Sequence, residues 1–290
     1  MGVLYFGDPQ GALYLLEAGV KLVGLVHGRI GGPGWQKLHA ALRQHVPAPR
    51  WQRPDLSDGR IVEQLRALKP TLIVSCFYPD LIPASLLDLA PGINVHPSDL
   101  PQWRGPDPVI HTILSGQSST AICIHVLAEG LDTGAIYRRE SVSLKGDEEA
   151  GPLSVYLERR GAEMLSAFVV DWFKHGPSQP SPQSGDMSWA PQRDDDWWEV
   201  DWHRSAVDIE RFVRAAHPHP GAYTGIGDEL LVIQKSSAAV EGAFSSVRAG
   251  TPFIRGGEFF IRCGVGALQI HRLKLGRRTM SGIEFARLLC

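Results

Sequence analysis

Residues 71–96, TLIVSCFYPDLIPASLLDLAPGINVH, decide the fold of this chain. TLIVSC at 71–76 and INVH at 93–96 are short apolar runs of strand length, and Pro83–Leu89 between them can form a helix. Strand, helix and strand in that order form the repeating unit of a parallel sheet covered on both faces. The alternation continues on either side. VLYF at 3–6, LVGLVH at 22–27 and AICIHV at 121–126 read as further buried strands, and Trp35–His45 and Gly59–Leu68 as helices. An open α/β domain with a mostly parallel, Rossmann-like sheet is predicted. In such sheets ligands bind beyond the carboxyl ends of the strands, where loops of neighbouring units converge. Asn94 and His96 close one strand and Asp132 follows another, so all three fall on that edge.

Toward the C-terminus the pattern changes. From Pro152 to about His175 the apolar residues Leu157, Met164, Leu165, Phe168 and Trp172 recur at helical spacing, predicting a long amphipathic helix that packs on the sheet and closes a first domain over 1–175. GPSQPSPQSGDMSWAPQRDDD then shows no periodicity and has the Pro, Ser, Gly and Asp content of an extended connector, read here as a linker over 176–202. Beyond it, Ile209, Phe212, Val213 and Ala216 share one helix face. LLVIQ at 230–234, FFIRC at 259–263 and ALQIHRLKL at 267–275 read as strands. Ser281 with Glu284 matches a capping box and opens a last short helix. A smaller C-terminal β-barrel domain over 203–290 is expected.

Composition excludes several classes. With 290 residues, 43% hydrophobic and 21% charged, the chain can fill one large core and one small one. Its start, MGVLYFGDPQGALYLLEAG, lacks the parts of a signal peptide, and no run approaches the roughly 18 apolar residues of a membrane span. A cytoplasmic protein with no membrane partner is predicted. Cys76, Cys123, Cys263 and Cys290 form no CxxC pair, and the 11 histidines no HxxxH or HExxH pair, so no metal is expected. The glycine-rich segments GDPQG at 7–11 and GRIGGPGW at 28–35 are neither GxGxxG nor GxxxxGK[ST], which disfavours nicotinamide and nucleoside-triphosphate chemistry. The net charge of −2 hides an asymmetry: residues 1–203 carry 17 Lys and Arg against 24 Asp and Glu, whereas residues 204–290 carry 12 against 7. A mildly basic tail can meet RNA phosphates or a nucleotide.

The chemistry-bearing residues lie in NVHPSDLPQWRG at 94–105 and in EGLDTG, whose Asp132 comes 27 residues after Gly105. Asparagine supplies a neutral donor, histidine a proton donor or acceptor near neutral pH, and aspartate an anion that fixes the ring. Asn94 and a protonated His96 are expected to donate to a developing oxyanion, and Asp132 to orient His96 and take or relay a proton. Ser98, Arg104 and Gly105 are expected to shape the loop or meet substrate, with Arg104 bound to a loop carbonyl or carboxylate.

HPSxLPxxRG followed by GLDTG resembles the folate-dependent formyltransferases, a family that includes methionyl-tRNA, glycinamide ribonucleotide and sugar-nucleotide enzymes. FYPDLIP at 77–83 and PHPGAYTGIGDELLVI in the last third are also similar to family segments. The resemblance implies that Asn94, His96 and Asp132 are catalytic and that N10-formyltetrahydrofolate donates the formyl group. It implies a pterin pocket from Phe77, Tyr78, Ile82, Pro83, Leu127, Ala128 and Gly130, and a C-terminal barrel similar to an OB-fold. Asp99 and Trp103 stand where many members have leucine and tyrosine, which leaves the acceptor open. The short loop after the second strand, in which Arg29 and Lys37 are the only cations, and the acidic DDDWWEVD favour a nucleotide-linked amino sugar or other small amine. The basic tail and PGAYT favour methionyl-tRNA as the alternative. Hydrolysis of formyltetrahydrofolate and an inactive binding module stand further back, and there is room for a homodimer.

Overall fold

The computed structural model describes residues 1–28, 40, 42–43, 48–226, 229–239 and 248–288. Most of the helix expected over Trp35–His45, the GRIGGPGW segment after Gly28, its cations Arg29 and Lys37, and Cys290 lie outside these residues. The chain divides into two compact units, the first comprising Met1–Pro108, Ser119–Ser143 and Ser154–Pro191.

In chain order its elements are β1 (Val3–Gly7), α1 (Pro9–Glu17), β2 (Leu22–His27), β3 (Arg50–Gln52), α2 (Gly59–Ala67), β4 (Leu72–Cys76), α3 (Ala84–Leu87) and β5 (Gly92–His96). After α4 (Pro108–Ser115), which from Val109 on belongs to the second unit, come β6 (Ser119–Val126), β7 (Ile136–Ser143) and the helix α5 (Ala150–His175), part of the first unit from Ser154 on. The seven strands form one sheet in the order β3-β2-β1-β4-β5-β6-β7. It is parallel from β3 to β5, and β6 and β7 join antiparallel. Every residue of β1 and β4 is buried, as strands covered on both faces require. One core cluster gathers Leu4, Phe6, Val26, Leu65, Ile73 and Leu86. Register carries the consequence for the site: Asn94 of β5 pairs with Ser75 of β4 on one side and with His125 of β6 on the other.

The helix α5 buries Leu157, Leu165, Phe168 and Trp172. It packs Phe168, tilted, and Trp172, edge to face, against Tyr137 of β7 at ring separations of 5.4 and 5.5 Å. Its Gly161 lets it approach β5, since a Cβ there would stand 2.9 Å from a Val95 methyl. Residues after α5 do more than leave the unit. Ser181 exchanges two backbone hydrogen bonds with Ile136, and Ala190 donates to the Arg104 carbonyl at 2.7 Å.

The second unit comprises Val109–Ser118, Leu144–Leu153 and Gln192–Cys290, of which 227–228, 240–247 and 289–290 are not described. It holds α6 (Ala206–Ala216), β8 (Ala222–Ile226), β9 (Glu229–Ala239), β10 (Pro252–Arg255), β11 (Glu258–Arg262), β12 (Ala267–Leu275), β13 (Arg278–Ser281) and α7 (Gly282–Ala286). Ser205 caps α6 by accepting from Asp208 N, and the predicted face Ile209, Phe212, Val213 and Ala216 is buried. The strands form an antiparallel sheet, β10-β11-β12-β9-β8, with β13 on β12. β12 changes neighbours along its length, pairing β11 through Ala267–Gln269 and β13 through Arg272–Leu275. The register against β9 skips His271 between these halves, and such a bulge bends a strand and lets one edge serve two partners. The capping box of Ser281 and Glu284 is formed.

Candidate active site

The last residues of β5, the loop that follows it and the turn between β6 and β7 meet around one carboxylate. Asp132 is 8% exposed and holds its backbone at φ +53°, a left-handed conformation costly for a residue with a Cβ. Its Oδ2 accepts from the Gly105 backbone N–H at 2.9 Å and lies 3.5 Å from His96 Nδ1. Its Oδ1 accepts from Asn94 Nδ2 at 3.2 Å and lies 3.4 Å from His125 Nε2. Asn94 Nδ2 also faces His125 Nε2 at 3.1 Å, while His125 Nδ1 is 2.8 Å from the Val126 carbonyl. A proton on Nδ1 of His125 satisfies that carbonyl and leaves Nε2 to accept from the Asn94 amide.

His96 is set between two acceptors. Nε2 lies 2.9 Å from the Trp103 carbonyl, and Nδ1 faces Asp132. Burial holds the ring below its ordinary pKa of 6.5, the Asp132 charge pulling the other way. The neutral tautomer that fits donates from Nε2 to Trp103 and presents the Nδ1 lone pair beside the carboxylate. A proton arriving at Nδ1 is then stabilised by Asp132. Burial opposes ionisation of Asp132 itself, but at the low pH where the carboxyl titrates both imidazoles are protonated, and the His125 contact, their charges and the Gly105 N–H outweigh burial and hold the carboxyl at about 2. The site is therefore a buried anion bracketed by two histidines and an amide.

The structure brings Asn94, His96 and Asp132 together, with a qualification about their hydrogens. Both amide hydrogens of Asn94 point at His125 and Asp132, and both nitrogens of His96 face protein acceptors. Donation to an oxyanion therefore means exchanging one of these bonds. Of the loop residues, Ser98 is fully buried and donates to the Gln102 carbonyl at 2.6 Å. Gly105 supplies the N–H on Asp132, and its φ of +112° is a glycine conformation. Arg104 bonds the side-chain carbonyl of Gln183 at 2.6 and 3.1 Å. Asp99 forms an ion pair with Arg139 at 2.8 Å.

The expected pterin residues separate into two groups. Tyr78, Ile82 and Leu127 pack against the sheet core, and the Phe77 ring lies against Gly161 of α5. Ala128 and Gly130 stand exposed on the turn before Asp132. Tyr78 and Pro83 line a cavity of about 410 Å³ with Arg53, Asp55, Leu56, Asp80 and Leu81, and the buried Tyr78 hydroxyl has no hydrogen-bond partner among the described residues. His125 lies within the strand expected from AICIHV at 121–126, and it also completes the network. The signal available was the strand pairing. Gln183 was not singled out at all, because it lies in a segment with no periodicity.

The formyl transferase profile matches residues 21–169, and the profile of the formyl transferase C-terminal domain matches residues 195–289. The methionyl-tRNA formyltransferase of Chloroflexus aurantiacus is 33% identical over 301 residues, which cover 97% of this chain and 95% of that protein. The N-formyltransferase of Helicobacter canadensis, in complex with folinic acid and dTDP-3-aminofucose, is similar with a TM-score of 0.70 at 17% identity, over 92% of this chain and 97% of that one. HypX of Aquifex aeolicus in complex with tetrahydrofolic acid has a TM-score of 0.61 at 17% identity over 99% of this chain, which spans only 46% of HypX.

Proposed function

Since the chain belongs to the formyl transferase family, we propose that it moves the formyl group of N10-formyltetrahydrofolate onto a primary amine, a nucleotide-linked amino sugar or another small amine being the first candidate acceptor. The observation that carries this reading is the Asp132 carboxylate within 3.5 Å of His96 Nδ1 and hydrogen-bonded to Asn94 and Gly105. The amine nitrogen attacks the formyl carbon, a C–N bond forms, and the bond from that carbon to N10 breaks. The proton lost by the amine ends on N10 of tetrahydrofolate. A neutral His96 backed by an anion can take that proton at Nδ1 and pass it on. Asn94 can turn one N–H toward the oxyanion, and a preorganised donor of this kind lowers a barrier by about 3–4 kcal/mol. Exposed Ala128 and Gly130, with the cavity at Tyr78 and Pro83, are the surfaces assigned to the folate. The bound folinic acid and amino-sugar nucleotide of the Helicobacter canadensis enzyme support donor and acceptor alike.

A second acceptor, methionyl-tRNA, is favoured by a different observation. The Chloroflexus aurantiacus relative aligns through both domains. Arg272 lies opposite Lys235 across β12 and β9, with Lys274, Arg277 and Arg278 also exposed. Like charges facing one another across a ladder cost stability, which a polyanion would relieve.

The test is folate-dependent formylation by the purified protein, with charged initiator tRNA and a panel of nucleotide-linked amino sugars run in parallel and read by mass. Formyl mass on a small amine supports the first reading, and on methionyl-tRNA the second. Formate release without an acceptor would replace both with a hydrolase. Asp132→Asn should lower turnover by about 10²–10⁴-fold, the range for a lost acid–base group, while folate still binds. Near-normal turnover in that variant removes these residues from the mechanism.

A further inference from the structure

The two motifs of the site are joined by a side chain that neither contains. Gln183 lies in the extended segment after α5, half-buried in a run that is otherwise exposed from Ser181 to Met187. Its Nε2 donates to the Asp132 carbonyl at 2.7 Å and to the Gly134 carbonyl at 2.8 Å. Its Oε1 accepts from Arg104 Nε at 3.1 Å and from Nη2 at 2.6 Å. Two carbonyls on one end and a guanidinium on the other fix which end is NH₂, and every bond the amide can make is made. The backbone around it is tied down as well: Arg104 N donates to the Ser188 carbonyl at 3.1 Å, and Trp103 N to Ser188 Oγ at 2.9 Å.

These contacts fall on a residue held in the left-handed region, Asp132 at φ +53°. A left-handed aspartate persists only where its surroundings determine it. The bonds to the carbonyls of residues 132 and 134 set the peptide planes 132–133 and 134–135, one on each side of the Thr133–Gly134 peptide. The bond to Arg104 holds the loop whose next residue, Gly105, donates to the carboxylate. We infer that Gln183 is a positioning residue for formyl transfer, clamping the two loops so that the Asp132 carboxylate faces His96 and Asn94. The inference rests on the function proposed above, although the clamp itself can be measured without any acceptor.

Three variants separate the parts. Gln183→Met keeps the size and removes every bond, Gln183→Glu keeps the acceptor for Arg104 but sets oxygen against two carbonyls, and Gln183→Asn keeps the groups one methylene short. In each, kcat is expected to fall about 10- to 100-fold, since a misplacement near 1 Å can cost about 10²-fold, with KM for folate and amine within about threefold. Imidazole ¹⁵N NMR should show the His96 midpoint moving down in the variants, because the Asp132 charge raises it. A segment that merely stabilised the unit would lower Tm and move neither kcat nor that midpoint, and this result overturns the inference. Where Gln183→Glu does not fold, Gln183→Asn carries the comparison. If the wild type formylates no amine while the midpoint still moves, the clamp on Asp132 stands and the reaction assigned to it falls. If the wild type formylates an amine and the midpoint and kcat are unchanged, the reaction stands and the clamp falls.

Discussion

His96 sits where two opposing effects meet, and burial decides between them. Taking an imidazole out of water disfavours its charged form, and the ring is 5% exposed. Asp132 pulls the other way, but the net displacement is downward from 6.5. The sign follows: the folded protein binds the His96 proton less readily than a free imidazole does, so the neutral, proton-accepting form persists below the usual histidine midpoint. With acceptor saturating, the acid limb of kcat should have its midpoint below about 6.5, the unperturbed value. By the same linkage, His96 withdraws stability as pH falls below about 6.5, where the unfolded chain takes up the proton first. A pH–rate series with its acid midpoint at or above that value would assign the limb to another group. At this scale the sequence was informative about residue types and silent about partners. Asn94, His96 and Asp132 could be picked out because they fall in two blocks, NVHPSDLPQWRG and EGLDTG, whose spacing resembles the formyltransferase pattern. The contact of His125 with Asn94 depends on antiparallel register between residues 31 positions apart, and no local pattern encodes it.

The turn between β6 and β7 shows how little room the elements leave. A Cβ added to Gly134 would stand 1.9 Å from the Val126 carbonyl oxygen and 2.7 Å from its carbon. Both atoms belong to the backbone, so no side chain can swing aside. Gly134→Ala should therefore cost about 1–3 kcal/mol, the range for an overpacked site, read as a fall in Tm of about 2–4 °C per kcal/mol. Activity should drop with it, because the displaced turn carries Asp132. An alanine variant with the parental Tm would show that the turn adjusts freely. Why some elements were legible and others not follows from the same packing. β1, β2, β4 and β6 are buried over nearly their whole length and announce themselves as apolar runs. β7 carries Arg138, Arg139 and Glu140 on a half-exposed edge, β3 is three residues long, and β8, β10 and β13 are short with at most one buried residue each. None of them offers a run or an alternation to detect. Residues 176–191 have the composition of a connector, and their pairing with Arg104 and Ile136 is made through the backbone, which composition does not report.

For the molecule as a whole, ionic strength measures the charge of the acceptor. The excess of Lys and Arg over Asp and Glu after residue 203, 12 against 7, is concentrated in part on the exposed Lys235, Arg272, Lys274, Arg277 and Arg278. If all five neutralised phosphates of an RNA, log affinity would fall with log salt at a slope of about −0.7 to −0.9 per contact. Between about 50 and 200 mM salt that is a loss on the order of 10²-fold. A nucleotide-linked amine carries few charges and releases few counterions, so its KM should change only a few-fold over the same range. The shallow response is the one expected for the first proposed acceptor. A steep response with methionyl-tRNA, reduced by about one unit of slope each in Arg272→Glu and Lys274→Glu, would make the β12–β13 face an RNA surface. Both charge reversals lie on exposed positions of the second unit and leave the Asp132 network untouched, so kcat at low salt should be retained. Loss of kcat with an unchanged slope would mean that these cations support the fold of their own sheet rather than an anionic acceptor.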